Sequence, residues 1–135
     1  MQKGSVNRVL LAGHLGADPE SRFTGAGTAV TTFNLATNES RRNSEGNYDD
    51  FTEWHRCVLF GKLAETAAEY LKKGQLVYIE GRLRTRSWED KNGIKRYTTE
   101  VVGEQYTMLG RKNAENSSAK PAEESNSDTD DDLPF

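Results

Sequence analysis

Lys62-Leu-Ala-Glu-Thr-Ala-Ala-Glu-Tyr-Leu-Lys-Lys-Gly74 runs directly into Gln75-Leu-Val-Tyr-Ile-Glu-Gly-Arg-Leu-Arg-Thr-Arg-Ser-Trp88, and the period of the chain changes between them. In the first half Leu63, Ala67 and Leu71 lie four apart, with Ala64 and Ala68 beside them. That is one face of a helix over 62–73, and Gly74 suits the residue just past a helix end. In the second half the period is two, as in a strand. Val77, Ile79, Gly81 and Leu83 share one face, read as inward. Tyr78, Glu80, Arg82, Arg84, Arg86 and Trp88 share the other.

Working outward from this junction, the chain reads mostly as strands. Upstream, Val6–Leu15 alternates with Val9 and Leu11 inward and Arg8 outward. Gly16-Ala17-Asp18-Pro19 is a turn, Glu20–Phe23 a short extended piece, and Gly25-Ala26-Gly27 a second turn. Ala29–Thr37 is a strand with Phe33 and Leu35 on one face. Ser40–Asp50 is polar and reads as a long loop, and Thr52–Phe60 is the third main strand. Downstream, Asp90-Lys91-Asn92-Gly93 signals a hairpin, Tyr97–Val102 is the return strand, and Tyr106–Leu109 adds a short one. Three strands, one helix and two long strands predict an all-β protein. The economical architecture is a five-stranded OB barrel with one helix between strands 3 and 4. The competitor is a β-sandwich, which needs more strands and has no use for the helix.

The 135 residues suit one small domain with a tail, and the charge divides them the same way. The net charge of −3 comes from 18 basic and 21 acidic side chains, which alone points away from a nucleic-acid binder. Residues 1–112, however, carry 17 basic and 14 acidic side chains, while 113–135 carry Lys120 against seven acids. We read 1–112 as the domain, 113–129 as a linker poor in apolar residues and so disordered, and 130–135 as a separate tip.

The apolar runs are too short to span a membrane, and no apolar stretch follows Met1-Gln2-Lys3 to suggest a secretory signal. One cysteine, Cys57, cannot form an internal disulfide, which fits a cytoplasmic location. Cys57, His14 and His55 are too few for a structural zinc site. No P-loop, nucleophile elbow or metal-ligand cluster is present, so neither a catalytic residue nor a cofactor is expected.

The candidate binding residues lie on two strand faces. Arg82, Arg84, Arg86 and Trp88 share one face of the fourth strand, and Trp54, Arg56, Val58 and Phe60 share one face of the third, followed by Lys62. Bases stack on aromatic rings and cations neutralise phosphates, so interleaving the two suits a single strand of nucleic acid. An isolated aromatic on a strand is more often core. Here the opposite face already supplies the apolar side chains. Arg8 and Arg41 are further candidate cations. Lys72 and Lys73 read first as helix C-terminal cations, with Lys73 also able to reach phosphate. His55 reads as a core or subunit contact and Cys57 as a small buried hydrophobe. The tip Asp130-Asp131-Asp132-Leu133-Pro134-Phe135 looks like a peptide that docks in a basic-rimmed apolar pocket of a partner, with Phe135 as anchor.

These residues together resemble the bacterial single-stranded DNA-binding protein family. The resemblance lies in Asn7–Glu20, Leu35–Ser40, Thr52–Glu65, Glu69–Gly74, Val77–Arg86 with Trp88, Tyr97–Val102 and the tip Asp130–Phe135. It implies an OB fold assembled as a homotetramer, with Trp54, Phe60 and Trp88 stacking bases and His55 near a subunit interface. It also implies a nucleoid-associated protein whose tip recruits replication, recombination and repair proteins. One departure stands out: Arg41 follows Glu39-Ser40 where well-studied relatives carry tryptophan, so a cation that can stack by its guanidinium plane replaces a ring.

Overall fold

The protein is described by a computed structural model over residues 3–110. The linker 113–129 and the tip residues Asp130, Asp131, Asp132, Leu133, Pro134 and Phe135 lie outside the described residues. Among the described residues, six strands and one helix follow in the order β1 (Val9–Leu15), β2 (Glu20–Phe23), β3 (Ala29–Arg42), β4 (Tyr48–Phe60), α1 (Lys62–Tyr70), β5 (Leu76–Glu89) and β6 (Lys95–Leu109). The sheet order is β1-β5-β6-β4-β3, and β1 returns to β3 through His14–Ala36 and Leu15–Leu35. Five strands therefore close a barrel, and β2 flanks it as a short addition to β3. The barrel expected from the sequence is present, with its helix between the third and fourth barrel strands, and the sandwich is excluded.

Strand alternation fills the interior. Leu15, Phe33, Leu35, Cys57, Leu59, Val77, Ile79 and Val101 point inward and are buried. α1 lies against β2, β3 and β4 and adds Ala64 and Ala67, whose small side chains let the helix approach closely. The Thr31 hydroxyl, fully buried, donates to the Ala64 carbonyl at 2.7 Å and fixes that approach. At Gly81 the barrel wall bends around a bulge in β6, because Glu80 pairs with Gln105 but Gly81 with Gly103. A Cβ at Gly81 would run into the Val102 carbonyl, so only glycine permits this approach.

Several boundaries differ from the sequence reading, each for a physical reason. β1 starts at Val9, and Val6 is exposed ahead of it. The predicted loop 40–50 is instead a long two-stranded arm, β3–β4, turned by Asn43–Asn47. Its polar side chains pair across the ribbon, Ser40 to Asp50 at 2.7 Å and Thr52 to Asn38 at 2.7 Å. The helix ends at Tyr70, because Leu71 turns to extended backbone and drops into the core. Burying a side chain of that size contributes about 1.5–3 kcal/mol. Lys72 and Lys73 are therefore not helix C-terminal cations, and Gly74 (φ 85°) belongs to the Lys72–Gln75 turn rather than to the helix end. Leu83 follows the inward alternation but lies where β5 has left the barrel, and it is 49% exposed. The two return strands are one continuous β6 with the bulge inside it.

Candidate nucleic-acid interface

The outer wall of the barrel carries the candidate residues because the register aligns their faces. Across β3 and β4, Val30 opposes Phe60, Thr32 opposes Val58, Asn34 opposes Arg56 and Ala36 opposes Trp54. Across β5 and β6, Arg84 opposes Glu100, Arg86 opposes Thr98 and Trp88 opposes Arg96. The parallel seam between β4 and β6 joins the two halves through Cys57–Val101 and Val58–Val102.

The three candidate rings stand open on this wall: Trp54 is 58% exposed, Trp88 44% and Phe60 38%. The Trp88 indole N–H donates to the Thr98 hydroxyl at 2.8 Å, which holds that ring against the β5–β6 arm. Phe60 faces a cleft of about 320 Å³ bordered by Arg22, Arg56, Arg84, Arg86 and Glu100, with Val58 buried in its floor. The Arg84 guanidinium lies over the Phe60 ring at 5.5 Å from its centroid. A neighbouring cleft holds Trp54 and Arg56 beside Gly16, Asp18 and Asn34. The Nε atoms of Arg56 and Arg84 are buried and have no hydrogen-bond partner within the described chain.

Acids temper the basic stripe. Arg86 Nε donates to Glu100 Oε1 at 2.8 Å, and Arg84 Nη2 is 3.6 Å from the same oxygen. Arg82 pairs with Glu104 at 2.8 Å, and Arg8 lies 3.6 Å from Glu80. Glu80 also accepts from the Tyr78 hydroxyl at 2.8 Å, and this hydrogen bond leads in pushing the phenol above its ordinary range.

The structure thus gathers Arg56, Phe60, Arg84 and Arg86 around one cleft and Trp54 and Arg56 around the next, with Trp88 farther along the same face. Arg8 and Arg82 line neither cleft. Lys62 opens α1 right after Phe60 and Gly61 and is exposed. Lys73 sits in the turn after the helix, where its backbone N–H donates to Asp18 Oδ1 at 2.8 Å, next to the Trp54 cleft. Arg41 opposes Asp49, which puts it on the ribbon face opposite Trp54. There it stacks over Phe51 at 4.3 Å and lies 3.4 Å from Glu39. His55 faces the interior side of β4, half-buried, with Nε2 2.9 Å from the Thr37 hydroxyl. Cys57 is fully buried, and burial pushes its thiol up to about 12.

Residues that sequence reasoning missed include Arg22, Glu100, and the pair Arg42 and Tyr48 at the far end of the arm. Arg42 and Tyr48 are register partners on the Trp54 face, and both are exposed. The signal for Arg22 was its place as the lone cation of the short Glu20–Phe23 piece. Glu100 gave none, because its meaning depends on the β5–β6 register.

The chain is similar to known proteins over most of its length. The family described as "Single-strand binding protein family" matches residues 6–109. The chain is 54% identical over 110 residues to Single-stranded DNA-binding protein 1 of Chlorobaculum tepidum, covering 81% of this chain and 68% of that one. It is 46% identical over 128 residues to Single-stranded DNA-binding protein 1 of Xylella fastidiosa, covering 89% and 94%. Among solved structures, the Plasmodium falciparum SSB in complex with ssDNA superposes with a TM-score of 0.74 at 32% identity, over 82% of this chain and all of that one. A deletion mutant of the single-stranded DNA-binding protein from Thermus aquaticus gives 0.71 at 34% identity, over 79% of this chain and 52% of that one.

Proposed function

The chain belongs to the single-strand binding protein family, and on that premise we propose that the Trp54–Phe60–Trp88 wall holds single-stranded DNA with little regard to sequence. The observation that carries this reading is three open aromatic rings set among Arg56, Arg84 and Arg86 on one face. Bases stack on the rings and the guanidiniums meet phosphates. Every base has a π-face, so the surface tolerates any sequence. Duplex DNA hides its base faces and binds less well.

The test is titration with oligo(dT). Trp54→Ala plus Trp88→Ala lowers affinity by at least about thirtyfold, since each stack contributes about 1–3 kcal/mol. Unchanged affinity sinks the stacking reading. Affinity falls as salt rises, with a log–log slope near −0.7 per phosphate neutralised.

The finer reading is that this protein coats and protects single strands during replication, recombination and repair, inside the cell at the nucleoid, without catalysis. It acts as a homotetramer with His55 near a subunit interface, which light scattering with and without oligo(dT) measures. Asp130–Phe135 recruits partner proteins through Phe135 and the neighbouring carboxylates. Deleting those six residues abolishes capture of replication and repair proteins and leaves DNA affinity intact or slightly tighter. A second reading, an accessory protein that mainly docks other proteins, predicts no loss on removing the tryptophans. A nuclease predicts strand cleavage with added divalent metal, and none is expected.

A further inference from the structure

Glu100 is 2% exposed among the cations that border the Phe60 cleft. It opposes Arg84 on β5, and its Oε1 takes Arg86 Nε at 2.8 Å and lies 3.6 Å from Arg84 Nη2. We propose that Glu100 is a positioning residue for phosphate binding. Its carboxylate fixes both guanidiniums at the Phe60 cleft and leaves both Nη nitrogens of Arg86 for a phosphate. The inference rests on reading that cleft as a single-stranded DNA site.

The asymmetry of burial supports it. The Glu100 side chain is 1% exposed, whereas those of Arg84 and Arg86 are 40% and 43% exposed. The anion lies inside and the cations face outward. The other pairs on the β5 side differ: Arg82 and Glu104 are about equally exposed, and Arg8 with Glu80 is open as well. Such surface pairs contribute little. A buried carboxylate is costly unless cations compensate it, and such a pair is weak evidence for stability in its own right. Here it holds two long side chains that would otherwise have to be ordered when the ligand arrives. Ordering them beforehand removes part of the binding cost, on a scale of about tenfold in affinity for the two arginines together. The charge of Glu100 is already engaged by both guanidiniums, so it adds little repulsion toward a phosphate.

The test is Glu100→Gln, which keeps the shape and removes the charge, assayed by oligo(dT) titration over a range of salt with a thermal melt alongside. Affinity is expected to fall about tenfold. The salt slope is expected to become shallower by about 0.7 for each phosphate that is no longer neutralised. In an Arg84→Ala plus Arg86→Ala background the same substitution is expected to change nothing further. Tighter binding with a steeper slope would make Glu100 a mere opposing charge and overturn the inference. Equal losses in both backgrounds would assign it to the fold alone and also overturn it. Should Glu100→Gln not fold, Glu100→Asp serves: it keeps the charge but shortens the reach to Arg86 Nε, and is expected to bind more weakly than the unsubstituted protein. Equal binding overturns the inference. If the unsubstituted protein does not bind oligo(dT), the single-strand reading itself fails. If it binds and Glu100→Gln binds as tightly, only the role of Glu100 fails.

Discussion

The indole of Trp54 lies against the backbone of Gly16, so closely that a Cβ built there would fall 2.5 Å from Cζ3 and 2.8 Å from Cη2. Gly16 is held in place by its N–H, which donates to the Asn34 carbonyl at 3.1 Å. Gly16→Ala therefore moves the ring rather than the backbone. Affinity for oligo(dT) falls about three- to tenfold, or about 1 kcal/mol, a fraction of one stacked base. The thermal midpoint changes little. Fluorescence titration with a parallel melt checks both, and an unaltered affinity would mean that the seating of Trp54 is unimportant.

Arg41 and Arg56 lie on opposite faces of the same ribbon, and their substitutions should differ accordingly. Arg41 stacks on Phe51 and lies beside Glu39. Arg41→Ala lowers affinity less than about twofold. Arg56 borders both clefts, and Arg56→Ala costs about 1.5 kcal/mol, close to tenfold, as expected for a charged hydrogen bond. Equal effects in the titration would show that strand wrapping ignores the two faces.

What could be read from residue order was local alternation. It placed Phe33, Leu35, Cys57, Val77 and Ile79 inside and grouped Trp54, Arg56 and Phe60 outside, as found. It failed where strands leave the barrel. The arm residues Asn38 to Asp50 have no core to face, so polar cross-strand pairs replace the apolar signal. Leu83 alternates correctly yet stays 49% exposed, because β5 has left the barrel there. The partnership of Glu100 with Arg84 and Arg86 depends on a β5–β6 register that includes a bulge at Glu80/Gly81, and alternation alone does not carry that information.

Gly81 and Gly103 are both crowded, but by different neighbours. A Cβ at Gly81 meets the Val102 carbonyl, part of the backbone, whereas one at Gly103 meets the end of the Leu59 side chain. Backbone cannot give way cheaply. Gly81→Ala should cost about 3 kcal/mol and Gly103→Ala about 1 kcal/mol, the two ends of the overpacking range. Urea unfolding measures both, and a reversed order would contradict this account of the two neighbours.

The Cys57 thiol is raised from 9.0 to about 12 because burial disfavours its thiolate. In the unfolded chain the thiol ionises near 9, while in the fold it keeps its proton. Its contribution is therefore intact below pH 9 and is lost as pH rises from 9 toward 12, at about 1.4 kcal/mol per pH unit. The stability of the protein relative to Cys57→Ala should fall over that window and stay level below it. The same burial leaves the thiol inert to alkylation at about pH 8 until the protein unfolds.

The seam between β4 and β6 has a mechanical meaning. Each long hairpin, β3–β4 and β5–β6, forms from neighbouring chain, but Cys57 meets Val101 and Val58 meets Val102 only when distant segments come together. Such non-local closure is slow to form, and this seam is short, two register pairs like the β1–β3 closure. Arg56 and Phe60 stand on one side of it, Glu100, Arg84 and Arg86 on the other. A strand of DNA lying across that line would act as a suture, and amides at 57–58 and 101–102 would exchange more slowly with ligand bound.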